Sequence, residues 1–525
     1  MQSPFEAVSY RSMSKQSSLA LIVYLLLFAP ITAQAEAGDL PPVPVVELEA
    51  VECPFTPPLG EIPTCLMATL PMNHQQVRAD GSLPADARTI GVHLTLLSNL
   101  ASNPDPDPFL FLSGGPGQAG SDSIGTLGSA VELRRNRGMI LVDQRGTGLS
   151  EPALYCEQAA PAELDGNRFN DPDADPDREL VERFTDCHNH WVEQGVDLAM
   201  FDTRAAALDL RAIREALDLR HWNIQGTSYG SRLALDLLRV DPEGVRAVVL
   251  NSPVTMESMA TAEYVELRPQ VFQQLFTNCA ADQFCADQYG DIEQKFQSLE
   301  LHFQNKPVVL QFADAATGEM IRESVTWADV VEALSGHLAF SEPAMSVPRF
   351  IAELYDVAQG RLSLDDREVS AIFSAALNDV IAGLALGQHL SVKCREDYSV
   401  MDAPAIAAVA DANPLYYPEG DSQHIYRLTC PIWEVGEVED RFLTAVETEH
   451  PVLVMSGDAD GLVPHAAAKR LADRLPNSQL IVFPGMGHDV HLTLLCGRSV
   501  VANFLDSPNE PVDQSCVADV APRFD

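Results

Sequence analysis

Ser228 lies in Gly226-Thr227-Ser228-Tyr229-Gly230, between the stretch Trp222-Asn223-Ile224-Gln225 and the helix-forming run Ser231-Arg232-Leu233-Ala234-Leu235. A glycine two residues to either side lets the backbone turn sharply without a Cβ clash. The hydroxyl is then carried at the tip of a strand-to-helix turn, next to the helix's first N–H groups. A serine hydroxyl attacks poorly until an imidazole takes its proton and a carboxylate orients that imidazole. Two later segments offer these groups. Gly457-Asp458-Ala459-Asp460-Gly461-Leu462-Val463-Pro464 follows the apolar run Val452–Ser456, and Gly485-Met486-Gly487-His488-Asp489 follows Gln479–Phe483. Ser228 is thus the candidate nucleophile, Asp460 the candidate acid and His488 the candidate base. Asp458 competes with Asp460, but the Asp-x-x-x-Pro frame of Asp460 and Pro464, leading into the next helix, favours Asp460. His465 and His491 are the lesser rivals of His488. Alone, an Asp after Gly is a common turn former and a lone His an ordinary loop residue. Three loops in this order, each directly after an apolar strand-like run, make coincidence improbable.

A fourth loop, Ser113-Gly114-Gly115-Pro116-Gly117-Gln118-Ala119-Gly120, follows the apolar run Phe109–Leu112. It lacks the Lys-Ser/Thr of a phosphate-binding P-loop and the spacing of a dinucleotide fingerprint. Closely packed glycines let backbone N–H groups approach a developing negative charge with no side chain in the way, so it reads as an oxyanion loop. No metal or organic cofactor is implied.

The elements that must position these loops are short buried strands alternating with helices. Arg88–Leu97 alternates as an early strand, and Met139–Asp143 and Arg246–Leu250 are further apolar strands. Thr203–Leu219 carries apolar residues at helical spacing, with Asp202 placed to cap it. Asp143 and Arg145 are expected to form an ion pair fixing the loop between them. Asp39–Pro63 is rich in proline and acid and is expected to wrap the surface before structure begins, while 161–178 reads as an exposed excursion. From about 255 to 430 the pattern becomes helical, without a clear run of parallel strands, before the strand rhythm resumes at Val452. The expected fold is α/β: a mostly parallel central sheet with flanking helices and a large, mainly helical inserted cap. The divisions are a signal peptide at 1–35, the N-terminal part of the core at 36–254, the cap at 255–430, and the C-terminal part of the core at 431–525.

The 525 residues carry a net charge of −41, which argues against nucleic acid or an anionic membrane surface as a partner. Arg11 and Lys15, the apolar run Leu19–Phe28 and Ala33-Gln34-Ala35 form the basic, hydrophobic and small-residue pattern of a cleavable export signal. The run is shorter than the roughly 20 residues of a membrane span. A secreted or periplasmic protein without stable membrane insertion is expected. The ten cysteines fall after that signal, and their grouping invites neighbour pairing: 53 with 65, 156 with 187, 279 with 285, 394 with 430 and 496 with 516. Zinc is the rival reading, but no C-x-x-C is present.

Taken together, Ser113–Gly120, Asp143-Gln144-Arg145-Gly146-Thr147-Gly148, the Ser228 motif and Asp460–Pro464 resemble the prolyl/tripeptidyl aminopeptidase family of α/β-hydrolases, in particular exported members with a tripeptidyl-aminopeptidase-like C-terminal segment. The resemblance spans roughly Cys53 to Cys516. It implies a Ser228–Asp460–His488 triad and an oxyanion hole made by the backbone N–H groups of Gly115 and Tyr229. The family's glycine loop often begins with His where this chain has Ser113. The implied substrate is a peptide, cut near its free N-terminus through an acyl-enzyme. Glu257, Glu263 and Glu266 are then candidate partners for its ammonium. A carboxylesterase for small acyl esters is the alternative, since the same triad serves both. A non-catalytic binding protein is disfavoured by the intact residue set, and a dehalogenase or epoxide hydrolase by Ser228, where a carboxylate would be needed.

Overall fold

The computed structural model describes residues 40–525, apart from 56–61, 103, 157–174, 257–261, 306–307, 314–319, 364–365, 374–382, 419–422, 489, 491–493, 522 and 525. The expected signal peptide, most of the 161–178 excursion, Glu257 and His491 lie outside the described residues.

Eleven strands are described: β1 (Glu47–Val51), β2 (Thr64–Pro71), β3 (Thr89–Leu97), β4 (Phe109–Leu112), β5 (Met139–Asp143), β6 (Trp222–Thr227), β7 (Val245–Asn251), β8 (Val308–Ala313), β9 (Met320–Val325), β10 (Val452–Gly457) and β11 (Ser478–Phe483). Nine form one sheet in the order β1-β2-β3-β5-β4-β6-β7-β10-β11. The first three pair antiparallel with their neighbours, and every pair from β5 to β11 is parallel. β4, β5, β6 and β10 are buried along their whole length, as expected of parallel strands covered on both faces. The proline-rich lead-in does not merely wrap the surface: Glu47–Val51 adds the edge strand β1 to β2, in register Glu47↔Thr69.

Helix α1 (Thr203–Ala216) starts where Asp202 accepts from the Ala205 N–H at 2.8 Å, and α2 (Tyr229–Val240) begins directly at the Ser228 turn. The two pack together. On another face of the sheet Val500, Val501 and Phe504 cluster with Phe109, Phe111, Val249, Leu453 and Met455. Burying each such side chain contributes about 1.5–3 kcal/mol. Four loops leave the carboxyl ends of β4, β5, β6 and β10 on one edge of this layer, where open α/β sheets bind ligands.

The region between β7 and β10 has its own core, in which Phe272, Phe296 and Trp327 meet at ring distances of 4.9 Å. It is mainly helical, and it also contains the antiparallel hairpin β8–β9, which the sequence pattern did not reveal. Three of its helices matter below: α3 (Trp327–Leu338), α4 (Leu386–Val392) and α5 (His424–Trp433). The cysteines form five disulfides, each between the neighbours expected. Among the described residues no cluster of His, Cys, Asp or Glu could hold a metal ion, and no helix is long and apolar enough to cross a membrane.

The expected Asp143–Arg145 ion pair is not formed. Arg145 turns to Asp209, with Nε 2.7 Å from Oδ2, and donates to the carbonyls of Met72 and Met200. Asp143 instead accepts from Ser121 N–H and hydroxyl and from the Leu149 N–H at 2.7–2.9 Å. Arg145 lies past the end of β5, in the turn that follows it, so its side chain leaves the backbone toward a different partner, and both charges are satisfied separately.

Candidate active site

Ser228 adopts φ 55° and ψ −123°, a conformation that costs a non-glycine residue roughly 1–3 kcal/mol. Three hydrogen bonds hold it there. Its N–H donates to the Asn251 carbonyl at 2.9 Å, and its own carbonyl accepts from Ser231 and Val254 N–H at 2.9 and 3.4 Å. The flanking glycines are required by contact. A Cβ on Gly226 would fall 2.2 Å from the Gly230 carbonyl oxygen, and one on Gly230 2.2 Å from that of Leu112. Strand β4 and the α2 helix therefore pack backbone against backbone at the elbow, and Ser228 is left partly exposed at its tip.

Asp460 and His488 are brought together. His488 Nδ1 lies 2.9 Å from Asp460 Oδ2 and 3.1 Å from Oδ1. Asp460 is buried, and its Oδ1 also accepts from Leu462 and Val463 N–H at 2.8 and 2.9 Å. A carboxylate so held accepts from Nδ1–H, which leaves His488 Nε2 as the basic nitrogen. Asp458 is exposed and accepts from Gly485 N–H, so it stabilises the turn that precedes His488. One link between Ser228 and the pair is backbone anchoring at the end of β7. Asn251 takes the Ser228 N–H on its carbonyl and gives its side-chain Nδ2–H to the His488 carbonyl at 3.1 Å. Ser252 Oγ donates to the same oxygen at 3.3 Å.

The glycine loop runs beside the serine. A Cβ on Gly114 would lie 3.1 Å from Ser228 Cβ and 3.6 Å from Oγ, so the loop backbone borders the hydroxyl with no side chain intervening. Gly115 has φ 103°, is exposed, and is followed by the buried Pro116. Ser113, in the place where the resembling family often has His, is buried and donates to the Gln118 carbonyl at 2.6 Å, closing the loop on itself. Tyr229 opens α2, with its side chain buried.

Residues not singled out from sequence surround these loops. At the end of α3, Ala339 accepts from the His488 N–H at 3.2 Å, and Ser341 Oγ accepts from the Gly487 N–H at 2.8 Å. The Phe340 ring stands 6.3 Å from the His488 ring, edge-on. The inserted region is thus bonded directly to the histidine loop. Of the candidate ammonium partners, Glu263 is engaged by Arg470 at 2.8 Å, and Glu266 is exposed. Asn251 carried one faint sequence signal, a polar residue closing an otherwise apolar strand; Ser341 carried none.

A mostly parallel sheet with a serine on a strained strand–helix turn, and a buried acid–histidine pair on two later loops, defines a hydrolase of the α/β class. The chain belongs to the alpha/beta hydrolase fold family, whose sequence profile matches residues 107–493. It is 22% identical to YuaR of Escherichia coli (strain K12) over 467 residues, covering 86% of this chain and 87% of YuaR. It is 30% identical over 256 residues to the serine protease Hip1 of Mycobacterium tuberculosis (strain ATCC 25618 / H37Rv), a match that covers 46% of each chain. Among solved structures, a proline iminopeptidase from Mycobacterium smegmatis aligns with a TM-score of 0.35 and 16% identity, covering 80% of this chain and 96% of that one.

Proposed function

We propose that this hydrolase is an exported serine aminopeptidase of the prolyl/tripeptidyl type, releasing short N-terminal pieces from peptides through an acyl-enzyme. The observation that carries the serine chemistry is the buried Asp460–His488 pair, anchored through Asn251 to the backbone of the Ser228 elbow. The peptidase assignment is supported by the likeness to Hip1, which is a serine protease, and by the resemblance of four motifs to those of the aminopeptidase family.

In this reading Ser228 Oγ attacks the scissile carbonyl while His488 Nε2 takes its proton. Asp460 holds the ring by Nδ1 and stabilises the imidazolium that forms. The backbone N–H groups of Gly115 and Tyr229 receive the oxyanion. As the carbon–nitrogen bond breaks, His488 passes the proton to the leaving amine. Water, deprotonated by the same nitrogen, then releases the acyl piece and restores Ser228. The five disulfides support an oxidising compartment. Residues 1–35 would serve as the export signal and 255–430 as the cap over the site.

The test is a paired panel of aminoacyl- and tripeptidyl-arylamides, with free and blocked N-termini, together with short-chain aryl esters and a Ser228→Ala control. Amide cleavage that disappears on N-terminal blocking and in the variant is expected. Ester turnover without amide cleavage would move the enzyme to the carboxylesterases. Unchanged activity in Ser228→Ala would remove the serine mechanism.

A further inference from the structure

A single segment, residues 384–397, reaches the two backbone stretches that flank Ser228, although it follows them by more than 150 residues in the chain. On one side it grips the glycine loop. His389 Nδ1 is 2.8 Å from the Pro116 carbonyl oxygen, and Nε2 is 2.9 Å from the Tyr426 hydroxyl on α5. A carbonyl only accepts, so the ring proton sits on Nδ1 and Nε2 accepts from Tyr426. Burial, helped by the Lys393 ammonium, pushes the His389 pKa down to about 4 and keeps this neutral tautomer. Next to it, the Ala385 N–H donates to the Gly117 carbonyl at 2.9 Å. Leu384 Cδ2 would lie 3.2 Å from a Cβ on Gly115.

On the other side the segment grips the elbow helix. The Glu396 carboxylate accepts from the Thr203 N–H and the Thr203 hydroxyl, both at 2.8 Å, and from Arg232 at 3.2 Å. Burial pushes the Glu396 pKa up to about 7 against the pull of Arg232. With Glu396 ionised, Thr203 gives it its one hydroxyl proton, and the Tyr229 hydroxyl donates to Thr203 Oγ1 at 2.9 Å. The chain runs one way: Tyr229 to Thr203 to Glu396. A π-type turn at Lys393–Asp397 lets consecutive Glu396 and Asp397 both reach Arg232, on the first turns of α2. Such turns gather at functional sites. The disulfide Cys394–Cys430 ties the turn to α5, which bears Tyr426.

Thr203, Tyr229, Arg232, Glu396 and Asp397 are all buried. Buried charges of this kind are expensive unless completely bonded, and completely bonded they fix one geometry. A donor misplaced by about 1 Å costs catalysis on the order of 10²-fold. We infer that His389 and Glu396 are positioning residues: His389 sets the Gly114–Gly117 loop through Pro116, and Glu396 sets Tyr229 through Thr203. One segment thereby holds both halves of the oxyanion hole in register. The inference rests on the proposed reading of Ser228, Gly115 and Tyr229, and names residues which that reading does not use.

Its test compares Thr203→Val with Thr203→Ser, and His389→Leu with His389→Asn, beside Ser228→Ala. The asparagine amide can still donate to Pro116. Each variant is titrated with a fluorophosphonate, so that kcat is expressed per active site and misfolded protein drops out. Binding of a trifluoromethyl ketone, whose hemiketal oxyanion fills the same hole, is measured in parallel. Thr203→Val and His389→Leu are expected to lower kcat per site by roughly tenfold to hundredfold, less than removal of a whole oxyanion donor. KM should stay within about threefold, and the ketone should weaken by the same factor as kcat/KM. The conservative partners restore most of both. Wild-type kcat per site in Thr203→Val and His389→Leu would overturn the positioning role while leaving the Ser228 assignment intact. Full activity in Ser228→Ala would overturn the assignment itself, and this inference with it.

Discussion

The Asn251 side chain donates to the His488 carbonyl at 3.1 Å while the Asn251 carbonyl accepts from the Ser228 N–H at 2.9 Å. One residue at the end of β7 therefore spaces Ser228 from His488, the proposed nucleophile and base. Asn251→Ala removes only the side-chain bond, and Ser252 still donates to His488. The expected loss is about 1 kcal/mol of stability and about tenfold in kcat/KM. Asn251→Asp cannot donate and buries a charge against a carbonyl, so it should cost about 3 kcal/mol or more. Denaturant unfolding and steady-state kinetics on the two variants check both figures. Equal behaviour of Ala and Asp would contradict the donor role.

The two acids of the β10 loop separate by what they touch. Asp460 faces the His488 ring, whereas Asp458 caps the Gly485 turn. Asp460→Asn retains the shape but favours the wrong ring tautomer, and kcat should fall by about 10⁴. Asp458→Asn retains an acceptor for Gly485, and kcat should stay within about threefold. Measuring both variants on the same arylamide decides which carboxylate orients the base.

Much of this architecture was legible in the chain because local chemistry and global fold agree. Strands β4, β5, β6, β7, β10 and β11 announce themselves as short apolar runs, and the loops that follow them hold the reactive residue types. What was not legible is what crosses the sequence. Arg145 looked like a partner for Asp143 because the two are near neighbours, yet it bonds to Asp209, which also meets His74 Nε2 at 2.8 Å. Burial alone would raise the Asp209 pKa, but Arg145 and His74 together hold it below the usual carboxylate value. The hairpin β8–β9 and the grip of residues 384–397 on the glycine loop and the elbow helix left no local pattern either.

That correction carries its own consequence. Arg145→Met would leave a buried Asp209 with only His74 and should destabilise the protein by about 3–5 kcal/mol. Asp143, with its three hydrogen bonds from Ser121 and Leu149, would be untouched. Chemical unfolding of Arg145→Met, compared with the double variant Arg145→Met/Asp209→Leu, tests the partner. The second change should recover part of the loss, since it removes the stranded charge.

The His389 ring gives the pH dependence a definite direction. Its pKa is about 4 in the folded chain, below the ordinary value of 6.5, first because of burial and then because of Lys393. A group whose folded pKa is depressed favours the neutral form on folding. Its contribution is intact above pH 6.5 and is lost as pH falls toward 4. The full shift corresponds to at most about 3 kcal/mol, since the ring is only partly enclosed. Protonation would also turn Nε2 from an acceptor of the Tyr426 hydroxyl into a donor, beside the Lys393 ammonium. His389→Asn retains a donor for Pro116 and does not titrate. Wild type should therefore be the more stable at pH 7, by about the Tyr426 bond, roughly 1 kcal/mol. The order should reverse as pH approaches 4. Unfolding free energies of both proteins across pH 4–7.5 read this directly. Parallel curves would mean that His389 keeps an ordinary pKa and that its bond to Pro116 is made by either charge state.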